Sequence, residues 1–215
     1  LMYLVFIAML ALNMSKEVLT AFGLMNEKLA ESNQTTTQRN NAFMAGLEEK
    51  VSEQPAKYAP LKEKADKIDA LSTNLNNYIE GIKEELTKDR LEEIDRTDYE
   101  TMDRPDQLDE MFFTGGRNTV KGEEFVQQIV TYREGVASLI ENEFSAIASK
   151  VKNEFVTEPV ENRDGKEIPW LEYHYQGYPL IASLTKLTQL QADVKTTESE
   201  ILSAMLSGQL QSEVS

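Results

Sequence analysis

A single imidazole, His174, stands among Tyr173, Tyr175 and Tyr178 and is the first place to look for acid–base chemistry. General acid–base catalysis needs a group that orients or relays the proton, and a metal centre needs several ligands. The only histidine of a chain without cysteine meets neither need, so a packing role is expected. The acidic series Asp103, Asp106, Asp109 and Glu110 lacks the alternating Asp/Asn spacing and the turn glycine of a calcium loop, and reads as a solvated face. No Lys-Ser/Thr follows Gly115-Gly116, which reads as a turn and not as a phosphate cradle. Asn33-Gln34-Thr35 and Asn13-Met14-Ser15 both match the glycosylation acceptor pattern, but the second falls beside an apolar run, so the pattern carries little here. No serine has a paired base to activate it. Catalytic, cofactor-binding and metal-binding residues are therefore all assigned as none, and an enzyme is not expected. A buried pair of acidic residues in a cleft is the observation that would reopen that question.

The unusual residues concentrate at the start. Leu1 to Leu12 (LMYLVFIAMLAL) is apolar or aromatic throughout, and the pattern continues through Val18, Leu19, Phe22, Leu24 and Met25. The run ends without a small-x-small cleavage site, which favours an anchor over a removable secretory signal. At ~1.5 Å per residue twelve residues cover only ~18 Å of a ~30 Å hydrocarbon core, so the spanning helix is expected to begin upstream of Leu1. Tyr3, Asn13 and Ser15 place hydrogen-bonding groups in or near the hydrocarbon, where such groups face a protein partner or a water-lined path. Ala8, Ala11 and Ser15 share one helical face and would let two backbones approach closely. The bland alternative is that Tyr3 is an interfacial aromatic and that Asn13 and Ser15 sit at the headgroups. Neither Pro nor Gly interrupts the pattern until Gly23, so the anchor is expected to enter the body as one helix, able to transmit rotation or tilt as a flexible linker could not.

The body that follows is acidic. The 215 residues carry 37 acidic against 22 basic side chains, a formal charge of −15, and show no lysine or arginine cluster to release counterions from a phosphate backbone. Nucleic acid is therefore excluded as a partner. The absence of cysteine rules out disulfides and thiolate sites.

Helical spacing dominates that body. Leu61, Ala65, Ile68, Leu75, Ile79, Ile82 and Leu86 follow steps of three and four, broken at Ser72, and predict a helix beginning at Pro60. A second pattern after Gly122 runs as one stretch through Phe125, Ile129, Tyr132, Val136, Leu139 or Ile140, Phe144, Ile147, Val151 and Phe155. A third runs from Pro179 through Leu180, Leu184, Leu187, Val194, Ile201 and Met205 until Gly208 supplies a stop. Thr35 to Val51 reads as a shorter helix of its own. Asp95 to Val120 is too rich in Met111, Phe112 and Phe113 to be a linker, and should pack over a bundle end. Thr157 to Tyr178, with Pro159, Gly165, Pro169, Gly177 and Trp170, reads as an irregular segment or small hairpin turning at Asp164 and Gly165. The expected class is all-α: a single transmembrane helix continuing into a periplasmic helical bundle. Residues 1–33 form the anchor and its extension, and residues 34–215 the acidic helical domain.

The run LMYLVFIAMLALNMSKEVLTAFGLMNEKL, including Tyr3, Asn13, Ser15, Glu17 and Phe22, resembles the N-terminal membrane segment of the GldM/PorM family of gliding-motility and type IX secretion proteins. The resemblance continues more loosely through an acidic, all-helical first periplasmic domain. It implies a single-pass bacterial inner-membrane protein forming a homodimer. Its paired helices would sit within a ring of a GldL-like polytopic membrane protein, and proton flow would drive the periplasmic part. By the same resemblance, further domains absent from this sequence would contact an outer-membrane-associated secretion ring, and the proton-carrying carboxylate belongs on the partner. The runner-up is a membrane-tethered helical-bundle sensor, which would need a ligand pocket, with Trp170, His174 and Tyr178 the place to seek it.

Overall fold

The computed structural model describes residues 15–88 and 98–214, with side chains through Ser207. Tyr3, Ala8, Ala11 and Asn13, and with them the expected membrane helix, lie outside the described residues. No helix among the described residues is long and apolar enough to cross a membrane.

Three long helices frame the body. Helix α1 (Lys16–Glu53) starts at Ser15, whose side chain accepts from the Val18 N–H at 3.4 Å, and runs 38 residues without a break; Ser15 itself is extended (φ −66°, ψ 149°), so the one helix expected to pass from the apolar run into the body is capped there instead. Expected to be separate, the helix over Thr35–Val51 is the distal part of α1, which passes through Asn33 and Gln34 uninterrupted. Helix α2 (Pro55–Thr87) begins five residues earlier than expected, with Pro55 in its first turn and Pro60 inside it. A proline so close to the start removes only one bond of a ladder that has barely begun, so the helix continues through it. Helix α7 (Leu180–Val214) runs past Gly208, which does not stop it.

The single helix expected over 122–155 is instead a hairpin of α4 (Val120–Ile140) and α5 (Ser145–Glu154). A turn over 141–143 and Phe144, at φ −131° and ψ 55°, reverse the chain. The ring of Phe155 then packs edge-on against that of Tyr132 at 4.9 Å, and the Arg133 guanidinium donates to the Phe155 carbonyl at 3.2 Å. In a straight helix those residues would be ~34 Å apart.

The two irregular segments close one end of the bundle. After a 3-10 turn (Tyr99–Thr101), helix α3 (Asp106–Phe112) leads into β1 (Phe113–Thr114) and β2 (Arg117–Asn118), paired antiparallel. Gly115 and Gly116, both at positive φ (55° and 75°), form the turn between them, a conformation that type I′ hairpins require at both positions. The second hairpin, β3 (Val160–Glu161) and β4 (Glu167–Ile168), is the one expected near Asp164 and Gly165. The Asn162 carboxamide holds its loop by accepting from the N–H groups of Asp164 and Lys166. Helix α6 (Trp170–Tyr175) follows. Phe112 is fully buried, stacks on Phe125 at 5.2 Å and meets Tyr175 edge-on, so the aromatic segment does cover a bundle end. Backbone bonds from Leu180 to the Arg104 carbonyl and from Ile181 to the Met102 carbonyl fasten the start of α7 to that cover.

The core joins α2 (Ile68, Leu75, Ile79, Ile82), α4 (Phe125, Ile129, Val136, Ile140) and α7 (Leu187, Val194, Ile201), all at most 2% exposed. Helix α1 lies along α7, and its contacts with α7 differ in kind from this core.

Candidate functional site

The face that α1 turns inward repeats every seven residues: Leu19, Asn26, Asn33, Asn40, Leu47. The outer members are apolar and buried, at 1% and 2% exposed, and three asparagines occupy the middle. Asn33 Nδ2 donates to the Thr188 carbonyl and Asn40 Nδ2 to the Lys195 carbonyl, each at 3.1 Å. The donors are seven residues apart and so are the acceptors, which makes α1 and α7 parallel and in heptad register. A lone polar residue at the centre of a coiled-coil seam fixes register at a cost in stability, and here two such bonds do so one heptad apart. Nearer the start of both helices, Thr185 Oγ1 donates to the Phe22 carbonyl at 3.1 Å.

The α7 side of the seam is equally polar. Lys195 Nζ donates to Thr37 Oγ1 at 2.8 Å, and Ser199 Oγ donates to Asn40 Oδ1 at 2.5 Å while accepting from Arg39 Nε at 3.2 Å. Gln191 reaches the other way, from α7 to the Asn76 carbonyl of α2 at 3.1 Å, and accepts from Lys83. Two adjoining hollows, about 370 and 240 Å³, open along this seam and share Ala30, Glu80 and Lys83 in their walls. Burial lowers the pKa of Lys195. Glu198, 5% exposed, is pushed up to about 7, first by burial and then by the Asp69 carboxylate of α2. Its Oε1 has no hydrogen-bond partner among the described residues.

Glu198 is buried while Asp69 is half-buried, so the two are not a buried acidic pair. Elsewhere the carboxylates are structural: Asp109 accepts from the Gly177 N–H at 3.0 Å and ties α3 to the loop before α7. Among the described residues no group of three or more His, Cys, Asp and Glu side chains could hold a metal ion. His174 is half-buried between the rings of Trp170 (4.9 Å) and Tyr173 (5.1 Å), and burial and the Lys186 ammonium lower its pKa. Lys186 donates to the His174 carbonyl and lies 3.8 Å from the centre of the Tyr178 ring, so these residues pack on one another. Ser15, expected at a partner-facing position, caps α1.

The family model described as the GldM N-terminal domain matches residues 17–208. The chain belongs to that family. No curated protein matches the chain. The resemblance read from the sequence thus holds for the helical body of this GldM domain, while the apolar run lies ahead of the matched residues. GldM proteins are membrane-associated structural and motor components of gliding motility and type IX secretion, and are not a known enzyme family.

Sequence reasoning missed the seam. Asn33 was visible only as a glycosylation pattern, and its carboxamide is buried 3.1 Å from a carbonyl of another helix. The signal that finds it is the seven-residue spacing of Asn26, Asn33 and Asn40 between Leu19 and Leu47.

Proposed function

We propose that this GldM domain is the driven part of a proton-motive-force-powered motor, and that α1 is the element through which motion enters it. One observation carries the reading. Helix α1 is a single rod of 38 residues, ~57 Å long, that starts just past the apolar run and is held in one register along α7. A push, tilt or rotation applied at the Ser15 end of such a rod reaches the far end of the body without being absorbed by a joint. In this reading the run ahead of Ser15 is a single-pass inner-membrane helix, paired with that of a second copy within a ring of a GldL-like membrane protein. Tyr3, Asn13 and Ser15 are its candidate partner-facing groups, and Ala8, Ala11 and Ser15 its close-packing face. The body lies in the periplasm and passes motion on, through further domains, to an outer-membrane-associated secretion ring. The sensor reading is not favoured, because the Trp170 and Tyr173 rings pack against His174, tilted and edge-on, where its pocket was sought.

The test is a pair of insertions between Met14 and Ser15 in the full-length protein. A flexible Gly-Ser segment of about seven residues should abolish gliding and secretion while assembly with the membrane partner persists. A helix-forming segment of the same length, ~two turns, is a stiff spacer that keeps the phase nearly unchanged, and should retain activity. Full activity with the flexible insert refutes transmission through α1.

A further inference from the structure

We propose that the smaller of the two hollows along the seam, walled by α1, α2 and α7, binds a small monovalent anion, a halide or a carboxylate, with Lys195 as its counter-charge. Two ammonium groups, Lys83 of α2 and Lys195 of α7, stand in the wall of this hollow against one carboxylate, Glu80. Glu80 is already matched, because Lys83 donates to it at 2.9 Å and to Gln191 Oε1 at 3.0 Å. Lys195 is left over. Among the described residues its ammonium donates only to the Thr37 hydroxyl, at 2.8 Å, and forms no ion pair. Thr37 Oγ1 in turn donates to the Asn33 carbonyl of its own helix at 2.9 Å, so it meets Lys195 as a neutral acceptor. In a chain of formal charge −15, a half-buried lysine without a carboxylate does not lack one for want of supply. Taking such a charge out of water is costly unless a counter-charge is brought to it.

The hydrogen-bonding groups of the hollow show the same excess. Of the three N–H donors of an ammonium, Lys195 spends one on Thr37, and Lys83 spends two on Glu80 and Gln191. Three donors therefore remain for something in the hollow. The acceptors of α7 are engaged: the Thr188 carbonyl receives the Asn33 carboxamide at 3.1 Å, and the Thr188 hydroxyl is turned to the Leu184 carbonyl at 3.0 Å. The adjoining larger hollow has the opposite balance, with Glu27 and Glu80 against Lys83, and would repel an anion. The smaller hollow, about 240 Å³, holds an anion with water around it. Burial lowers the pKa of Lys195, and the Lys83 ammonium acts in the same direction, while Glu198 and Glu80 draw on it without pairing. Because Thr37, Lys83 and Lys195 belong to three different helices, an anion among them ties α1 to both neighbours, between the bonds made by Asn33 and Asn40. Charge-assisted hydrogen bonds of this kind are the stronger ones.

The anion site goes beyond the motor reading and is tested without it. The full-length protein is held in sodium gluconate and titrated with sodium chloride at constant ionic strength, and binding is read from the chlorine NMR line width. Saturable broadening is expected in the wild type, and its thermal midpoint should rise with chloride along the same isotherm. Lys195→Gln should lose both effects. That variant removes a half-buried unpaired charge, so in gluconate it should unfold no earlier than the wild type. Lys150→Gln removes an exposed lysine paired with Glu200 and should keep both effects. Sodium formate then distinguishes the ligands: displacement of chloride assigns the site to carboxylates as well as halides, and persistence assigns it to halides, either result supporting the site. A wild-type line width without saturable broadening overturns the proposal. So does broadening that survives undiminished in Lys195→Gln.

Discussion

Gly23 is the position at which the rod is gripped from outside, and it yields the sharpest test of the packing. The ring of Tyr99 lies directly on it: a Cβ at Gly23 would fall 2.0, 2.2 and 2.4 Å from three carbons of that ring. Tyr99 is 7% exposed and its hydroxyl donates to the Glu27 carboxylate, so it has no second position of equal quality. Gly23→Ala gains ~1 kcal/mol of helix propensity. Against that, displacing the ring exposes an aromatic side chain worth ~1.5–3 kcal/mol and weakens a hydrogen bond to a charged group worth ~1.5–3 kcal/mol. The loss wins by at least about 2 kcal/mol, equivalent to ~4–8 °C or more in Tm for a chain of this size. Gly46 and Gly81 are internal controls on α1 and α2, because nothing lies within 4 Å of a Cβ at either. Both should gain ~1 kcal/mol as alanine. Urea unfolding followed by circular dichroism measures all three. In a Tyr99→Ala background the obstacle is gone, so Gly23→Ala should there become stabilising. Such a reversal is the non-additivity that contact predicts. Equal stabilisation by Gly23→Ala and Gly46→Ala in the wild-type background would refute the grip.

Two further predictions concern the seam. Glu198 has a folded value of about 7 against an ordinary 4.5, so the fold favours its protonated form. That stability is complete below ~pH 4.5 and is lost as pH rises through ~7, to a total of ~3 kcal/mol. Urea midpoints should fall across this window in the wild type and stay flat in Glu198→Gln; a flat wild-type profile would sink the assignment. Replacing Asn33 and Asn40 together by leucine should raise Tm, because two buried carboxamides give way to apolar contacts, yet loosen the register of α1. Disulfide trapping between cysteines at Gln38 and Thr196 reads that register, and unchanged trapping in the double variant would mean the asparagines do not set it.

How far the sequence could be read depends on whether burial was apolar. The stripe Leu61 to Leu86 lies on one face of α2 and is buried, because apolar periodicity and core position coincide there. The turn at Gly115-Gly116 and the hairpin near Gly165 were both legible, since positive φ favours glycine. The turn between α4 and α5 was not, because Glu141–Phe144 contains neither Gly nor Pro and the apolar spacing carries on across it. Tertiary contact of Phe155 with Tyr132 selects the hairpin over the straight helix. Along α1 the failure has the opposite cause. Asn26, Asn33 and Asn40 occupy inward positions, so a search for apolar steps sees the pattern stop after Met25 and resume at Phe43. The rod was thereby divided in two.

That polar stretch bears on what the domain can do under load. A seam filled with leucine would hold α1 more tightly, but leucines repeated every seven residues offer nearly equivalent packing after a slip of one heptad, ~10 Å along the axis. Carboxamide-to-carbonyl bonds at Asn33 and Asn40 are lost in any intermediate position, which opposes partial slips. A full heptad slip would bring Asn26 opposite the Thr188 carbonyl and Asn33 opposite that of Lys195. It would also pull Gly23 from beneath Tyr99 and put Ala30 in the place of Thr37, the hydroxyl that takes a hydrogen bond from Lys195. The two contacts that break the heptad's degeneracy are thus the Tyr99 grip near the start of the rod and the Lys195–Thr37 hydrogen bond farther along it. Between them they fix α1 at both ends of the polar seam, which is where a lever under axial force must be held.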